Sequence, residues 1–248
     1  LDEPAEHTFE NCVCTACGAE ILEVKYIDRF WDEENNQLVS AEADIPSNTV
    51  EIKKDTTELN GGWYAVCEDV EIEDRIVVKG TTQNPTNIVL LDGFKLDAKA
   101  GIEVAEGYVL NIFTQNHDTG EITADLSTGI YYNYHNAAIG GSQNKGGGTI
   151  TVNGGTVTVT SVGGAGIGGG SDGHGGTITI NGGTVIAKTY NEGAGIGGGA
   201  YGSSGTITIN GGTVKAYTNN DGNGAAAIGS GYGSDDSGTI TINGGNIT

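Results

Sequence analysis

The 248-residue chain has no methionine, three prolines, two tryptophans and four cysteines, and the last of these, Cys67, falls in its first third. Arginine stops at Arg75, and beyond Lys145 the only basic residues are Lys188 and Lys215. Each shortage excludes something. With 11 basic against 32 acidic residues, a net charge of −21 leaves no cationic footprint for a phosphate backbone, which excludes nucleic-acid binding. Such a charge suits solubility and divalent cations instead. No run of 18 apolar residues offers a membrane-spanning helix. No leader is recognisable at the start, and the missing methionine reads as the mark of a processed or excised piece. A chain rich in Thr, Asn and Gly but poor in Lys fits a secreted or surface-exposed bacterial protein.

What the chain has in abundance is glycine. Of its 44 glycines, five precede residue 100 and 39 follow it, which divides a conventional N-terminal part from a glycine-rich remainder. That remainder is repetitive. GTITVNGG begins at Gly148, and GTITINGG at Gly176, Gly205 and Gly238. A second phrase follows (TVTVT at Thr156, TVIAK at Thr184, TVKAY at Thr213), then a third, GAGIGGG at Gly164 and Gly193 and AAAIGSG at Ala225. Repeats of this period point to a solenoid.

Within each phrase apolar and polar residues alternate with period two, the signature of strand. Ile150 and Val152 share one face while Thr149, Thr151 and Asn153 share the other. Three inward phrases per repeat, separated by glycine corners, describe a three-sided, right-handed parallel β-helix with coils about 4.8 Å apart. Each inward Ile or Val contributes roughly 1.5–3 kcal/mol by burial. One coil cannot bury its inner face alone, so the coils must stack. Irregular coils are expected from residue 69, with inward Ile76, Val78, Val89, Leu96, Ile102, Val104, Leu110 and Ile112 and tight corners at Asp92–Gly93 and Glu106–Gly107. EITAD at Glu121 takes the place of the second phrase and AAIGG at Ala137 that of the third, with an excursion between them. The expected division is a Cys/His-rich tail (1–20), an N-terminal β cap (21–68) and a β-helix of about seven coils (69–248). In the cap a hairpin turning near Asn35–Asn36 packs across the first coil, together with Trp31 and Trp63 as buried cap residues, the alternative for Trp31 being a ligand platform.

The tail places His7, Cys12, Cys14 and Cys17 within eleven residues, four N/S donors of the kind that hold zinc. The alternative uses Cys67: a bridge from Cys12, Cys14 or Cys17 would staple the tail to the solenoid, worth roughly 3–5 kcal/mol for a loop of about 50 residues. A redox dithiol lacks the βαβ scaffold that such chemistry uses.

Together HTFENCVCTACGAE, GGWYAV, GIEVAEGYVLNIF and the alternation of GAGIGGG with GTITINGGTV resemble a class of repeat-rich surface proteins from anaerobic Firmicutes. The solenoid is similar to that of clostridial β-helix carbohydrate-binding domains. The resemblance covers nearly the whole chain. It implies a cell-surface or secreted protein that binds plant-wall polysaccharide, with calcium as the accompanying cation. Beside that family's short Cys/His segment this chain carries an extra cysteine, Cys12, with Cys67 as its implied partner.

Four features bear on chemistry. GAGIGGG fits a dinucleotide fingerprint, but no helix follows it, so it reads as a corner where backbones approach closely. Pectinase-like catalysis needs paired carboxylates or a base with calcium; Asp235–Asp236 and His174 stand in Gly/Ser loops, and Lys188 and Lys215 lack surrounding acids, so no enzyme is expected. The outward Thr-x-Thr-x-Asn array resembles the flat grid of ice-binding solenoids, although strand propensity and stacked asparagine amides account for it. Last come exposed aromatics. Tyr201 and Tyr232 follow the third phrase in adjacent coils, Tyr190 and Tyr217 lie near the second corner, and Tyr131, Tyr132 and Tyr134 fall in the excursion. Tyrosines on a rigid ladder can stack on sugar rings while Asn, Asp and Thr bond hydroxyls. Asp172, Asp221, Asp235 and Asp236 are the acidic corners where calcium would sit. The function expected is a non-catalytic module for polysaccharide or host glycan. The alternatives are a stalk or self-assembling surface protein, associating end to end through an uncapped last coil, and a polysaccharide lyase or hydrolase.

Overall fold

The computed structural model describes residues 25–128, 135–219 and 224–248, and the backbone of two short antiparallel strands, β1 (Phe9–Glu10) and β2 (Val13–Cys14). The core of the molecule is a three-sided parallel β-helix. Its first sheet stacks Val50–Glu51, Gly62–Val66, Thr86–Leu90, Val109–Thr114, Thr149–Val152, Thr177–Ile180, Thr206–Ile209 and Thr239–Ile242. The second runs from Val70–Ile72 to Asn246–Ile247, and the third from Glu58–Leu59 to Ile228–Gly229.

Register is kept throughout. Ile150, Ile178, Ile207 and Ile240 stand in line, as do Val157, Val185 and Val214, and Ile167, Ile196 and Ile228. A one-residue slip would turn this column out to solvent, so burial of the inner face sets the register. The irregular coils obey it too: Glu121 pairs with Thr156 and Ile139 with Ile167, the places expected for EITAD and AAIGG. Gly93 and Gly107 both have positive φ, at the corners where tight turns were read.

Three expectations need correction. The parallel ladders begin at Val50, not at residue 69, because Val50 and Glu51 pair with Tyr64 and Ala65, and Leu59 with Val78. Residues 50–66 therefore belong to the solenoid, although their short strands carry too few alternations to be read as such.

The second correction concerns the hairpin, β3 (Lys25–Asp32) and β4 (Gln37–Asp44), which turns where expected with Asn36 at φ 51°. It does not cover the end of the first coil. It lies along the outer face of the first sheet, crossing successive coils: Ile27 pairs with Thr114, Arg29 reaches Asn153 and Asp118, and Asn181 donates to the Arg29 carbonyl.

The third is Val89, which points outward while Ile88 and Leu90 face the core. The physical reason joins these last two findings. Coils at residues 62–66, 86–90 and 109–114 carry Ala65, Val89 and Phe113 on their outer side, where later coils carry polar residues. That apolar strip must be covered, and the hairpin covers it. A second small core results, made of Ile45, Ala65, Cys67, Val89, Leu91 and Phe113. Trp63 belongs there, its ring 4.9 Å from Tyr26 and stacked 5.4 Å from Phe113.

Candidate functional site

Among the sequence-selected tyrosines, the structure brings Tyr201 and Tyr232 together. Their ring centroids are 6.0 Å apart at 62°, an edge-to-face pair, with Tyr201 55% and Tyr232 39% exposed. Their places in the coil are not identical. The Tyr201 amide donates to the Tyr232 carbonyl, and the Asp172 amide to the Ala200 carbonyl, so Tyr232 stands one position ahead of Tyr201. Tyr201 itself has φ 61°, sharing the left-handed corner with Asn144 at 61° and Asp172 at 63°. Asn and Asp tolerate that conformation; a tyrosine there is strained.

On the second sheet Lys188 pairs with Tyr217, and the Lys188 ammonium sits 3.9 Å from the centre of the Tyr190 ring. Tyr190 and Tyr217 are both exposed. Neither Lys188 nor Lys215 has an ion-pair partner among the described residues. Tyr131, Tyr132 and Tyr134, together with His7, Cys12, Cys17 and Asp221, lie outside the described residues, as does the side chain of Cys14.

Cys67 is buried and disulfide-bonded, so it is not a free thiol or a metal ligand. Among the described residues no three His, Cys, Asp or Glu side chains gather as a metal site. Asp236 accepts from the Gly238 amide within its own loop, and His174 Nδ1 accepts from the Gly176 amide while its Nε2 stands 3.7 Å from Glu106. The GAGIGGG corner needs its glycines for a local reason. Gly140, Gly168, Gly197 and Gly229 stack with φ of 138°, 136°, 135° and 144°, and a Cβ on Gly168 would overlap the Gly197 carbonyl oxygen. No phosphate cradle follows from that.

The Thr-x-Thr-x-Asn array carries an amide ladder. Asn181 donates to Asn153 at 2.8 Å, Asn210 to Asn181 at 2.8 Å and Asn243 to Asn210 at 2.7 Å. Stacking was expected; left-handed backbone at these asparagines is absent, because the positive φ falls on Gly155, Gly183, Gly212 and Gly245 two residues later. Nor is the grid a free plane. Phe30, Trp31 and Glu33 of the hairpin and its turn stand over it and close a cleft of about 490 Å³ against Thr179, Thr208, Thr241 and the Asn181–Asn210–Asn243 column.

Of the two sequence readings of Trp31, buried cap residue or ligand platform, the first is corrected: Trp31 is half-buried and lines this cleft. Sequence reading missed the site because nothing local says where along the solenoid a hairpin will lie. The one available signal was the outward apolar strip of the early coils, which needs a cover.

Three coils match the family described as the beta helix repeat, at residues 150–171, 178–200 and 207–232. Those repeats agree with the parallel β-helix that the strands form. Comparison with curated proteins and with solved structures returned no match. The matched repeats contain Tyr190, Tyr217 and Tyr232, and Tyr201 directly follows the second of them, so these tyrosines decorate the regular part of the β-helix.

Proposed function

We propose that this β-helix protein is a non-catalytic, extracellular or surface-bound module that binds a linear polysaccharide or host glycan. The observation that supports it best is the Tyr201–Tyr232 pair, two exposed rings held against each other by adjacent coils. The ladder holds the pair in place before any ligand arrives, so little ordering entropy opposes binding. Two exposed rings set edge to face suit one sugar ring stacked and its neighbour bonded to a phenol. A net charge of −21 disfavours acidic polymers unless calcium bridges the two. A neutral glucan is then expected to bind with or without chelator, and a pectin-like polymer only with calcium.

Affinity-gel retardation with neutral and acidic polysaccharides, each with and without chelator, measures both. Tyr201→Ala combined with Tyr232→Ala should weaken the retardation; unchanged migration would remove this face as the site. A stalk or self-assembling role is the second reading, favoured by the unbroken core that runs through the coils. It is the better one if no polymer retards the protein and light scattering shows concentration-dependent association. Release of reducing sugar from a polysaccharide would instead make the protein a glycan-degrading enzyme.

A further inference from the structure

Asn181 and Asn210 sit in the same ladder, yet their amides are not equally satisfied. A side-chain amide nitrogen carries two hydrogens. In Asn181 one goes to Asn153 Oδ1 and the other, at 2.7 Å, to the backbone carbonyl of Arg29 in the hairpin. In Asn210 one goes to Asn181 Oδ1, and the second has no partner among the described residues. Asn243 repeats this one coil further on, with one hydrogen spent on Asn210. Asn210 is only 6% exposed, so its unspent donor lies in the floor of the cleft and not on an open surface.

Beside these amides, the hydroxyls of Thr179, Thr208 and Thr241 form no hydrogen bond within the described residues and can donate or accept. Glu33 at the rim is an acceptor. Trp31 and Phe30 supply apolar walls. About 490 Å³ is within the range of small-ligand sites.

The ligand class follows from what must be met at once. Oxygen acceptors are needed for the Asn210 and Asn243 donors, a hydroxyl proton for Glu33, and a flat C–H face for the indole of Trp31. No basic side chain lines the cleft, and Glu33 repels anions. A cation could use the rings and Glu33, but it would leave the amide donors facing positive charge.

We propose that this cleft is a second glycan seat, separate from the Tyr201–Tyr232 corner, and that it takes an uncharged pyranose ring stacked on Trp31 with its hydroxyls on Asn210, Asn243 and Thr208. The hairpin carbonyl on Asn181 already fills the equivalent place one coil back, so the ligand continues a bonding pattern that the protein begins itself. The site stands whether or not the tyrosine pair binds sugar.

The test is a titration with short neutral oligosaccharides (cello-, xylo- and manno-series), followed by tryptophan emission and by calorimetry. Trp63 lies in the aromatic cluster beneath the hairpin, so a ligand-dependent change reports Trp31. A saturable blue shift is expected with at least one series. Calorimetric affinity should fall about tenfold or more in Trp31→Ala and in Thr208→Val, and should persist in Tyr201→Ala with Tyr232→Ala. Thr208→Val keeps strand shape and removes only the hydroxyl, so its loss of binding with an unchanged melting temperature separates ligand contact from folding. The proposal is overturned if no neutral series shifts the emission, if tetramethylammonium shifts it and sugars do not, or if the tyrosine variants abolish binding while Trp31→Ala keeps it.

Discussion

Tyr201 occupies a backbone conformation that suits Asn or Asp far better than an aromatic side chain, at a corner where the two preceding coils carry Asn144 and Asp172. Left-handed φ costs a bulky residue roughly 1–2 kcal/mol. The edge-to-face contact with Tyr232 returns about 0.5–1.5 kcal/mol, so the ring comes close to offsetting its own strain. Tyr201→Asn and Tyr201→Ala both lose that contact, but only Asn tolerates the corner. The Asn variant should therefore melt higher than the Ala variant by the equivalent of about 0.5–1 kcal/mol. Equal melting of the two would show that the corner relaxes once the ring is gone. The position itself was legible, since Asp172 one coil earlier marks the same corner. The φ value was not, because nothing in GAGIGGGAYG says which residue after the glycines turns left-handed.

At the scale of elements, the regular strands were legible and the hairpin's docking was not. Ile178 and Ile180, like Val157 and Val159, alternate with threonines, and that alternation alone names the inner face. Val89 follows the same rule only if one knows that its other neighbours, Ile88 and Leu90, are the inward ones; in an all-apolar run the period is silent. Where the hairpin rests depends on partners 89 to 152 residues away: Asp118, Asn153 and Asn181. The Arg29–Asp118 pair is bidentate, at 3.1 and 2.7 Å, and the guanidinium also donates to the Asn153 carbonyl. Such charge-assisted contacts are the strong ones. Arg29→Ala should cost about 1–3 kcal/mol, since it leaves the Asp118 carboxylate and the Asn153 carbonyl short of a donor. Hydrogen exchange should speed up selectively at the Asn181 and Asn210 side of the hairpin, with the inner strands still protected. Uniform loss of protection would mean that the hairpin and solenoid unfold together, and no change would mean that the pair contributes nothing.

The whole molecule carries 21 surplus negative charges on a rod whose third-sheet side is pinned by one buried cation. Arg75 donates to the carbonyls of Ala100, Ala137 and Gly140 and lies 3.8 Å from Glu103; burial pushes its guanidinium down to about 10 against the pull of Glu103. It remains charged at neutral pH. Burial alone would raise Glu103, but hydrogen bonds from Ser142 and Lys145 and the charges of Lys145 and Arg75 hold its carboxyl below the usual range. Asp92 and Asp97 are held low in the same manner, Asp92 by Thr119 and His117 and Asp97 by Lys99 and Thr123, each against its own burial. A carboxylate whose folded pKa is depressed adds stability above its unfolded pKa, near 4, and that stability is lost as pH falls through the folded value. Self-repulsion acts in the opposite direction, because mild acid neutralises surplus charge. The melting temperature is therefore expected to hold or rise slightly from pH 7 to about 5 and to drop steeply below about 4. Glu103→Gln separates the two effects. It strips the partner from a buried Arg75 and should lower stability at pH 7, yet flatten the acid limb, since one depressed carboxyl no longer titrates. Parallel melting curves for Glu103→Gln and the parent protein between pH 7 and 3 would show that acid acts on the rod through its overall charge alone.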